Sequence, residues 1–382
     1  MRLRVLFVNR MASMVRGGGE TFDLEMSRHL EQLGCEISFL SGIPLLSGAQ
    51  TPIASPRSHT LRTPYLGWFP WDKVKGGWRL RLADFYVFEK MAARWVAAHQ
   101  TLFDVIQVCE LPTFVGTIKN RHLALPVVMR MTAPDYYDTG DAMHKADAII
   151  ASGATMEKLK SVRANCVNIP NGVDVEHFKP HASTFRKSHG IPEEDFVILF
   201  VARFQAVKNH EMLISAFSRL LPRCPQARLV LAGSGPLEGR IRDRCRAEGL
   251  AERVMFLGEV PFTELPDVYA AADLKVITSI YESFCFAALE AMATALPLVV
   301  TDTDWVPKLI GFGEGGVVVK KDDADAMAAA VVELAADRPR RLVMGKHNRE
   351  TVVRDYQWRG SAEKLLSLYE DLQSSRHSAK SC

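Results

Sequence analysis

The chain has 382 residues, with 47 Lys plus Arg against 44 Asp plus Glu, and is 48% hydrophobic and 24% charged. This length and apolar content exclude a disordered or collagen-like polymer and fit two domains, each large enough to bury its own core. A formal charge of +3 is too small to argue for nucleic acid, which needs a clustered excess of Lys and Arg, so no nucleic-acid partner is expected.

In chain order, short apolar runs alternate with segments of helical periodicity, the pattern of parallel sheets with crossover helices. A first set opens with a strand at Leu3 to Asn9, a Gly-rich loop, and a helix from Glu20 whose apolar positions Phe22, Met26, Leu30 and Leu33 recur at helical spacing before Gly34 ends it. Further strands are expected at Glu36 to Leu40, Asp104 to Val108, Val127 to Met131, Ala148 to Ala151 and Cys166 to Ile169. Between them, Tyr65 to Trp95 is strongly aromatic and interleaved with Lys73, Lys75, Arg79 and Arg81. From Leu82 onward, Phe85, Phe88, Met91, Ala92 and Trp95 read as the core face of a helix. The loop from Leu61 to Gly77, with Trp68 and Trp71, instead suits a sugar ring or a lipid headgroup interface.

The turn Pro170-Asn171-Gly172 and the polar stretch Pro180 to Glu194 read as the connection to a second set. That set has strands at Phe196 to Ala202, Arg228 to Ala232, Val254 to Leu257, Lys275 to Thr278 and Leu298 to Thr301, with helices at Glu211 to Leu221 and Leu237 to Ala247. The expected division is residues 1–176, residues 177–356, and a terminal segment 357–382 whose helix caps the second domain or crosses back onto the first. Seven unpatterned cysteines read as reduced thiols, and no run reaches the ~18 apolar residues of a membrane span. The expected location is cytoplasmic, with a peripheral contact on the inner face of the membrane left open.

Candidate chemistry gathers in the second set. Glu282 and Glu290 are eight positions apart, about 80° and roughly 12 Å on a helix, and form no acid/base dyad. Glu282 is expected in the loop after the strand and Glu290 inside the next helix. The start of that helix, around Ser283, Phe284, Cys285 and Phe286, would offer free N–H groups to an anion. Arg203 and Lys208 follow the strand Phe196 to Ala202 at the sheet edge where open α/β folds bind ligands. Gly233-Ser234-Gly235-Pro236 would permit close backbone approach to a ligand, or is an ordinary turn. Asp302-Thr303-Asp304 matches a metal-binding carboxylate pattern, but no metal is expected there.

These residues together resemble the retaining family 4 glycosyltransferases (glycosyltransferase group 1) of the GT-B fold, over nearly the whole chain. The resemblance rests on Gly17-Gly18-Gly19-Glu20, on Pro170-Asn171-Gly172-Val173-Asp174 with Phe178, on Arg203 and Lys208, on Gly233-Ser234-Gly235-Pro236-Leu237, and on Glu282 and Glu290 leading into Ala291-Met292-Ala293. It implies an α/β fold of two Rossmann-like parallel-sheet domains facing a cleft, and a nucleoside diphosphate sugar as donor with no cofactor. It further implies that Arg203 and Lys208 bind the diphosphate, that Gly233 and Gly235 approach the donor, that Glu290 bonds the ribose, and that Glu282 lies by the donor sugar. Gly17, Gly18 and Gly19 would face the phosphates or the acceptor, and the helix start would stabilise the departing diphosphate without a metal. Thr132 stands where the family commonly has His, and Asp304-Trp305 and Lys308 where it has a Gly pair and Glu. The expected activity is transfer of a hexose to a glycan or lipid-linked acceptor in cell-surface polysaccharide, lipopolysaccharide or glycoconjugate synthesis, with Trp68, Trp71 and Thr132 on the acceptor side. The alternatives are a sugar-nucleotide 2-epimerase of the same fold and a catalytically silent subunit.

Overall fold

The computed structural model describes residues 2–14, 18–45, 57–64, 77–121, 123, 125–132, 144–160 and 166–380. It divides into two compact units, one formed by Met1–Asn171 with Trp358–Cys382 and the other by Gly172–Gln357.

The first unit runs β1 (Arg4–Val8), α1 (Gly18–Gln32), β2 (Glu36–Pro44), β3 (Ser58–Thr63), α2 (Gly77–His99), β4 (Val105–Cys109), α3 (Pro112–Asn120), β5 (Val127–Arg130), β6 (Ala148–Ala151), α4 (Gly153–Lys160) and β7 (Cys166–Asn168). Its seven strands pair in parallel in the order β3-β2-β1-β4-β5-β6-β7. Central β1, Arg-Val-Leu-Phe-Val, is buried on both faces because helices cover both. Leu6 and Val8 point to a core with Phe88, Ala92 and Val96 of α2 and Phe114 and Ile118 of α3. On the other face Phe7 packs on Phe39 with ring centroids 5.3 Å apart. There α1 lies against the chain's last helix, Trp358–Lys380, where Phe22 meets Trp358 edge-on at 6.0 Å.

Two acids of α2 defy its reading as a plain amphipathic helix. Asp84 and Arg10 form a fully buried ion pair at 2.7 Å. Glu89 accepts from the Phe114 backbone N–H and so caps α3, and burial pushes its carboxyl up to about 7. The core-face assignment holds for Phe88 and Ala92, which are fully buried, with Phe85 and Trp95 packed against that core.

The second unit contains α5 (Phe185–Ser188), β8 (Phe196–Val201), α6 (His210–Leu220), β9 (Ala227–Ala232), α7 (Glu238–Ala247), β10 (Val254–Gly258), α8 (Leu265–Ala270), β11 (Leu274–Ile277), α9 (Phe286–Ala293), β12 (Leu298–Thr301), α10 (Val306–Leu309), β13 (Gly316–Val319), α11 (Ala324–Ala336) and α12 (Arg338–Asp355). The helix Trp358–Lys380 is α13. The six strands are parallel in the order β10-β9-β8-β11-β12-β13. Ile198 and Phe200 of β8 face a core shared with α6 and α11, while Val197 and Leu199 face one shared with α8 and α9. Each fully buried aliphatic side chain contributes about 1.5–3 kcal/mol relative to exposure, so these two layers fix the height of every strand end. The strands at their carboxyl ends carry the residues that matter next.

Candidate active site

At the end of β8 the chain turns through Ala202 to Asn209, and glycines set the shape of that turn. Gly233 has φ +132° and Gly235 φ +155°. A Cβ on Gly233 would stand 2.1 Å from the Ala202 carbonyl oxygen, and one on Gly235 would stand 2.7 Å from that of Phe204. The backbone that these glycines admit is therefore the chain's own: Phe204 N–H donates to Ser234 O at 3.0 Å, and Leu237 N–H to Phe204 O at 3.2 Å. Between these ties Arg203 stays exposed, with no hydrogen bond or ion pair to its guanidinium among the described residues.

Lys208 ends a single 3-10 turn, Ala206–Lys208, and Asn209 follows in the left-handed region, where its side chain caps α6 by accepting from Met212 N–H at 3.2 Å. That turn is strapped to the loop after β11. Thr278 Oγ1 donates to Lys208 O at 2.8 Å, Ile280 N–H donates to Val207 O at 2.8 Å, and Thr301 Oγ1 donates to Ser279 O at 2.6 Å. These straps bring together two residues 74 positions apart: Lys208 Nζ donates to Glu282 Oε1 at 2.6 Å. Ser279 Oγ donates to the same oxygen at 2.6 Å. Burial alone would depress the Lys208 ammonium, but the Glu282 carboxylate beside it more than offsets this and holds it above its ordinary value. Lys208 is thus a fixed cation at the carboxyl edge of the sheet.

Four residues beyond Glu282, helix α9 begins. Its N-cap is Cys285, at φ 76° and ψ 83°, and no side chain caps it. A non-glycine residue in this region is strained, and such strain concentrates at functional sites. Burial also pushes the Cys285 thiol up to about 12, so it stays protonated. Ser283 is half-buried; Phe284 is buried against Trp305 at 6.2 Å, and half-buried Phe286 stands 6.1 Å from Phe284. The first turn of α9, bearing the positive end of the helix dipole, therefore starts beside the Lys208–Glu282 pair. Glu290 lies one turn further in, accepting from Tyr269 Oη of α8 at 2.7 Å. Burial raises its carboxyl despite that bond and the opposing charge of Lys275.

Lys275 is a residue that spacing alone did not single out. It is the lone charge in β11, Leu-Lys-Val-Ile, in register with Leu199 and Leu298, and is 1% exposed. That charge inside an apolar strand was the available signal. His210, the first residue of α6, is also buried, stacked on Phe204 at 4.1 Å, and neither of its ring nitrogens is hydrogen-bonded. Burial drops its imidazole to about 4, so it is neutral.

In the first unit, Gly18 and Gly19 open α1 rather than forming a loop. Arg130 at the end of β5, its guanidinium 3.9 Å over the Phe22 ring, donates to Gly19 O at 3.1 Å and Asn171 Oδ1 at 3.4 Å. Thr132 gives both its N–H and its hydroxyl to Glu110 Oε1, the N–H at 2.6 Å. Gly17, Trp68 and Trp71 lie outside the described residues. Asp302 and Asp304 are exposed, and among the described residues no group of three or more His, Cys, Asp or Glu side chains is placed to hold a metal ion. No helix among the described residues is long and apolar enough to cross a membrane.

Comparison with known proteins agrees with the second unit's geometry. The family model for glycosyl transferases group 1 matches residues 182–351. A D-inositol 3-phosphate glycosyltransferase of Corynebacterium jeikeium is 35% identical over 55% of this chain and 52% of its own length, so the chain spans about half of that relative. The lipopolysaccharide core biosynthesis mannosyltransferase LpsB of Rhizobium meliloti is 31% identical over 60% of this chain and 67% of its own. Among solved structures, sucrose-phosphate synthase from Thermosynechococcus elongatus superposes with a TM-score of 0.79 over 98% of this chain and 100% of that one, at 21% identity, which shows the fold. Two all-parallel Rossmann-like units of this kind are the GT-B architecture, and the chain belongs to the glycosyl transferases group 1 family.

Proposed function

We propose that this protein is a retaining, family 4 glycosyltransferase that moves a hexose from a nucleoside diphosphate sugar to a glycan or lipid-linked acceptor without a metal. The observation that carries this reading is the cation at the carboxyl edge of the second sheet. Lys208, fixed by Glu282 and by the bonds of Thr278 and Ile280 to the backbone of its turn, stands beside the start of α9, which no side chain of its N-cap residue caps. A diphosphate there would meet a positive side chain and the positive end of a helix, and both interactions strengthen as the sugar leaves and charge develops on the phosphate. Exposed Arg203 is available to the same anion. Glu282 would hold Lys208 in place and border the donor sugar, and Glu290 would accept from the ribose hydroxyls on the oxygen that Tyr269 leaves. The names of the Corynebacterium and Rhizobium relatives, a D-inositol 3-phosphate glycosyltransferase and a lipopolysaccharide core biosynthesis mannosyltransferase, support a polyhydroxylated acceptor, and the second a glycan. A peripheral contact with the cytoplasmic membrane face would suit a lipid-linked one.

The test is direct. UDP-glucose, GDP-mannose and ADP-glucose are each incubated with the full chain and a panel of glycan and lipid-linked acceptors, and products are read by mass spectrometry and anomeric NMR. Transfer with the donor's anomeric configuration kept is the expected outcome. Inverted product, or an epimerised sugar nucleotide with no transfer, would refute it.

A further inference from the structure

Among the buried charged side chains described around the start of α9, Lys275 is set apart by its bonding. Lys208 is matched by Glu282, and Glu290 is held by Tyr269. Lys275 has no hydrogen-bond partner among the described residues, although it lies between β8 and β12 and is only 1% exposed. Its nearest aromatic contact is the Phe200 ring, 5.2 Å from Nζ. An isolated buried ammonium costs several kcal/mol, and a Leu or Phe would fill such a strand position at no such cost. The groups whose fields reach it all belong to the site: Glu282 in the loop, Cys285 at the cap of α9, Glu290 inside that helix and Lys208 on the 3-10 turn. From α6, the neutral His210 also feels it. Tyr269 of α8 and His177 act on Glu290 in turn. A buried cation that has an aromatic face but no hydrogen bond among the described residues, within the fields of the groups at the start of α9, is suited to an anion arriving there.

Resting on the diphosphate site proposed above, we propose that Lys275 is a buried counter-charge for the donor, and that it takes up a proton from solvent when the diphosphate binds at the start of α9. In the free protein, desolvation brings its amine down to about 7, so a large fraction is neutral at neutral pH. The arriving anion favours the ammonium and pulls that equilibrium toward the charged form. The proton goes from water to Nζ, and no bond in the donor changes. By linkage, affinity for the donor is highest at low pH and weakens as pH rises past about 7, by up to tenfold per pH unit. Lys275 acts through this field without touching the reacting atoms, so it is a positioning residue.

Isothermal titration of the full chain with UDP-glucose, GDP-mannose and ADP-glucose tests this, because these diphosphate diesters titrate no proton of their own near neutral pH. Each titration is run at about pH 7 in PIPES and in Tris, neither a phosphate, whose ionisation enthalpies differ, so that the difference in heat counts protons. The expected result is uptake of about half a proton per bound donor by the native protein. Lys275→Met, of similar length, is expected to bind more weakly and take up none; Lys275→Arg, always charged, is expected to bind with no uptake and a flat pH profile. Donor binding with no uptake by the native protein, or uptake that persists in Lys275→Met, would overturn the inference while leaving the diphosphate site standing. Binding of none of the three donors would remove that site and this inference with it.

Discussion

At the carboxyl edge of the first sheet the described charges are consumed internally, whereas in the second sheet a lysine inside β11 and an arginine at the carboxyl edge make no hydrogen bond among the described residues. In the first, Asn9 Nδ2 and Gln107 Nε2 both donate to Asp23, at 2.7 and 3.3 Å, and Tyr369 of α13 donates to Gln107. Arg130 is spent on Gly19 and Asn171, and Thr132 on Glu110. Burial still lifts the Asp23 carboxyl to about 6, because even a bonded carboxylate is costly in a dry site. In the second, Lys275 is buried with the Phe200 ring 5.2 Å from its Nζ and no hydrogen bond among the described residues, and Arg203 reaches solvent. The lesson is one of accounting: a closed network rigidifies a fold, whereas a surplus of one sign at a sheet edge is a demand for a ligand.

The strongest blow to the closed side of this comparison is Asp84→Ala. It leaves Arg10, 1% exposed, without the carboxylate 2.7 Å away. Removing one partner of a buried pair costs about 3–5 kcal/mol. Urea unfolding should show that loss in the midpoint with little change in slope, and nucleotide affinity of the folded fraction should be unchanged. Stability within about 1 kcal/mol of the native protein would mean that the pair is not consumed internally as described.

On the open side, Lys208→Ala should do the reverse. Its expected effect is a loss of about 2–4 kcal/mol of transition-state stabilisation, roughly a hundredfold or more in kcat/KM, with a smaller effect on folding. Part of the folding effect comes from Glu282, which retains Ser279 but loses its cation. Lys208→Arg should recover only part of the activity, because a planar guanidinium cannot occupy the compact position of an ammonium with the same 2.6 Å contact. Native turnover by Lys208→Ala would break the assignment of function to this edge.

Much of this was legible before any coordinates. Strands such as Ala148–Ala151 and Leu298–Thr301 stand where their apolar runs end, because parallel strands buried on both faces leave an unmistakable apolar run. Edge strand β3, Ser-His-Thr-Leu-Arg-Thr, was invisible: it is mostly exposed and has no apolar alternation to read. The glycines at 233 and 235 were legible as a close approach, but not its object, which is the backbone of Ala202 and Phe204. Lys208 and Glu282 could be named separately as site residues. Their contact depends on the straps from Thr278 and Thr301, and no local pattern encodes a distance across two strand ends. Burial of Asp84 and Glu89 was hidden for a like reason, since their partners come from β1's exit and from α3.

The smallest expected effect concerns the one strained residue at the open edge. Cys285 sits at φ 76° as the cap of α9, a conformation in which a Cβ costs about 1–2 kcal/mol and glycine nothing. Its thiol is no nucleophile, being pushed up to about 12 by burial and by Glu282. Relief of that strain is set against the unfolded-state entropy of glycine and the lost packing of the partly buried thiol, so Cys285→Gly should leave stability within about 1 kcal/mol of the native protein. If the helix start binds the anion through backbone N–H groups alone, donor affinity should be retained, because the substitution leaves every one of them in place. Thermal unfolding with and without UDP-glucose, GDP-mannose or ADP-glucose separates the two quantities, since ligand stabilisation adds to that of the free protein. A folded variant that no longer gains from the donor would instead show that the thiol, or the strain it imposes, shapes the open edge as much as the surplus charge does.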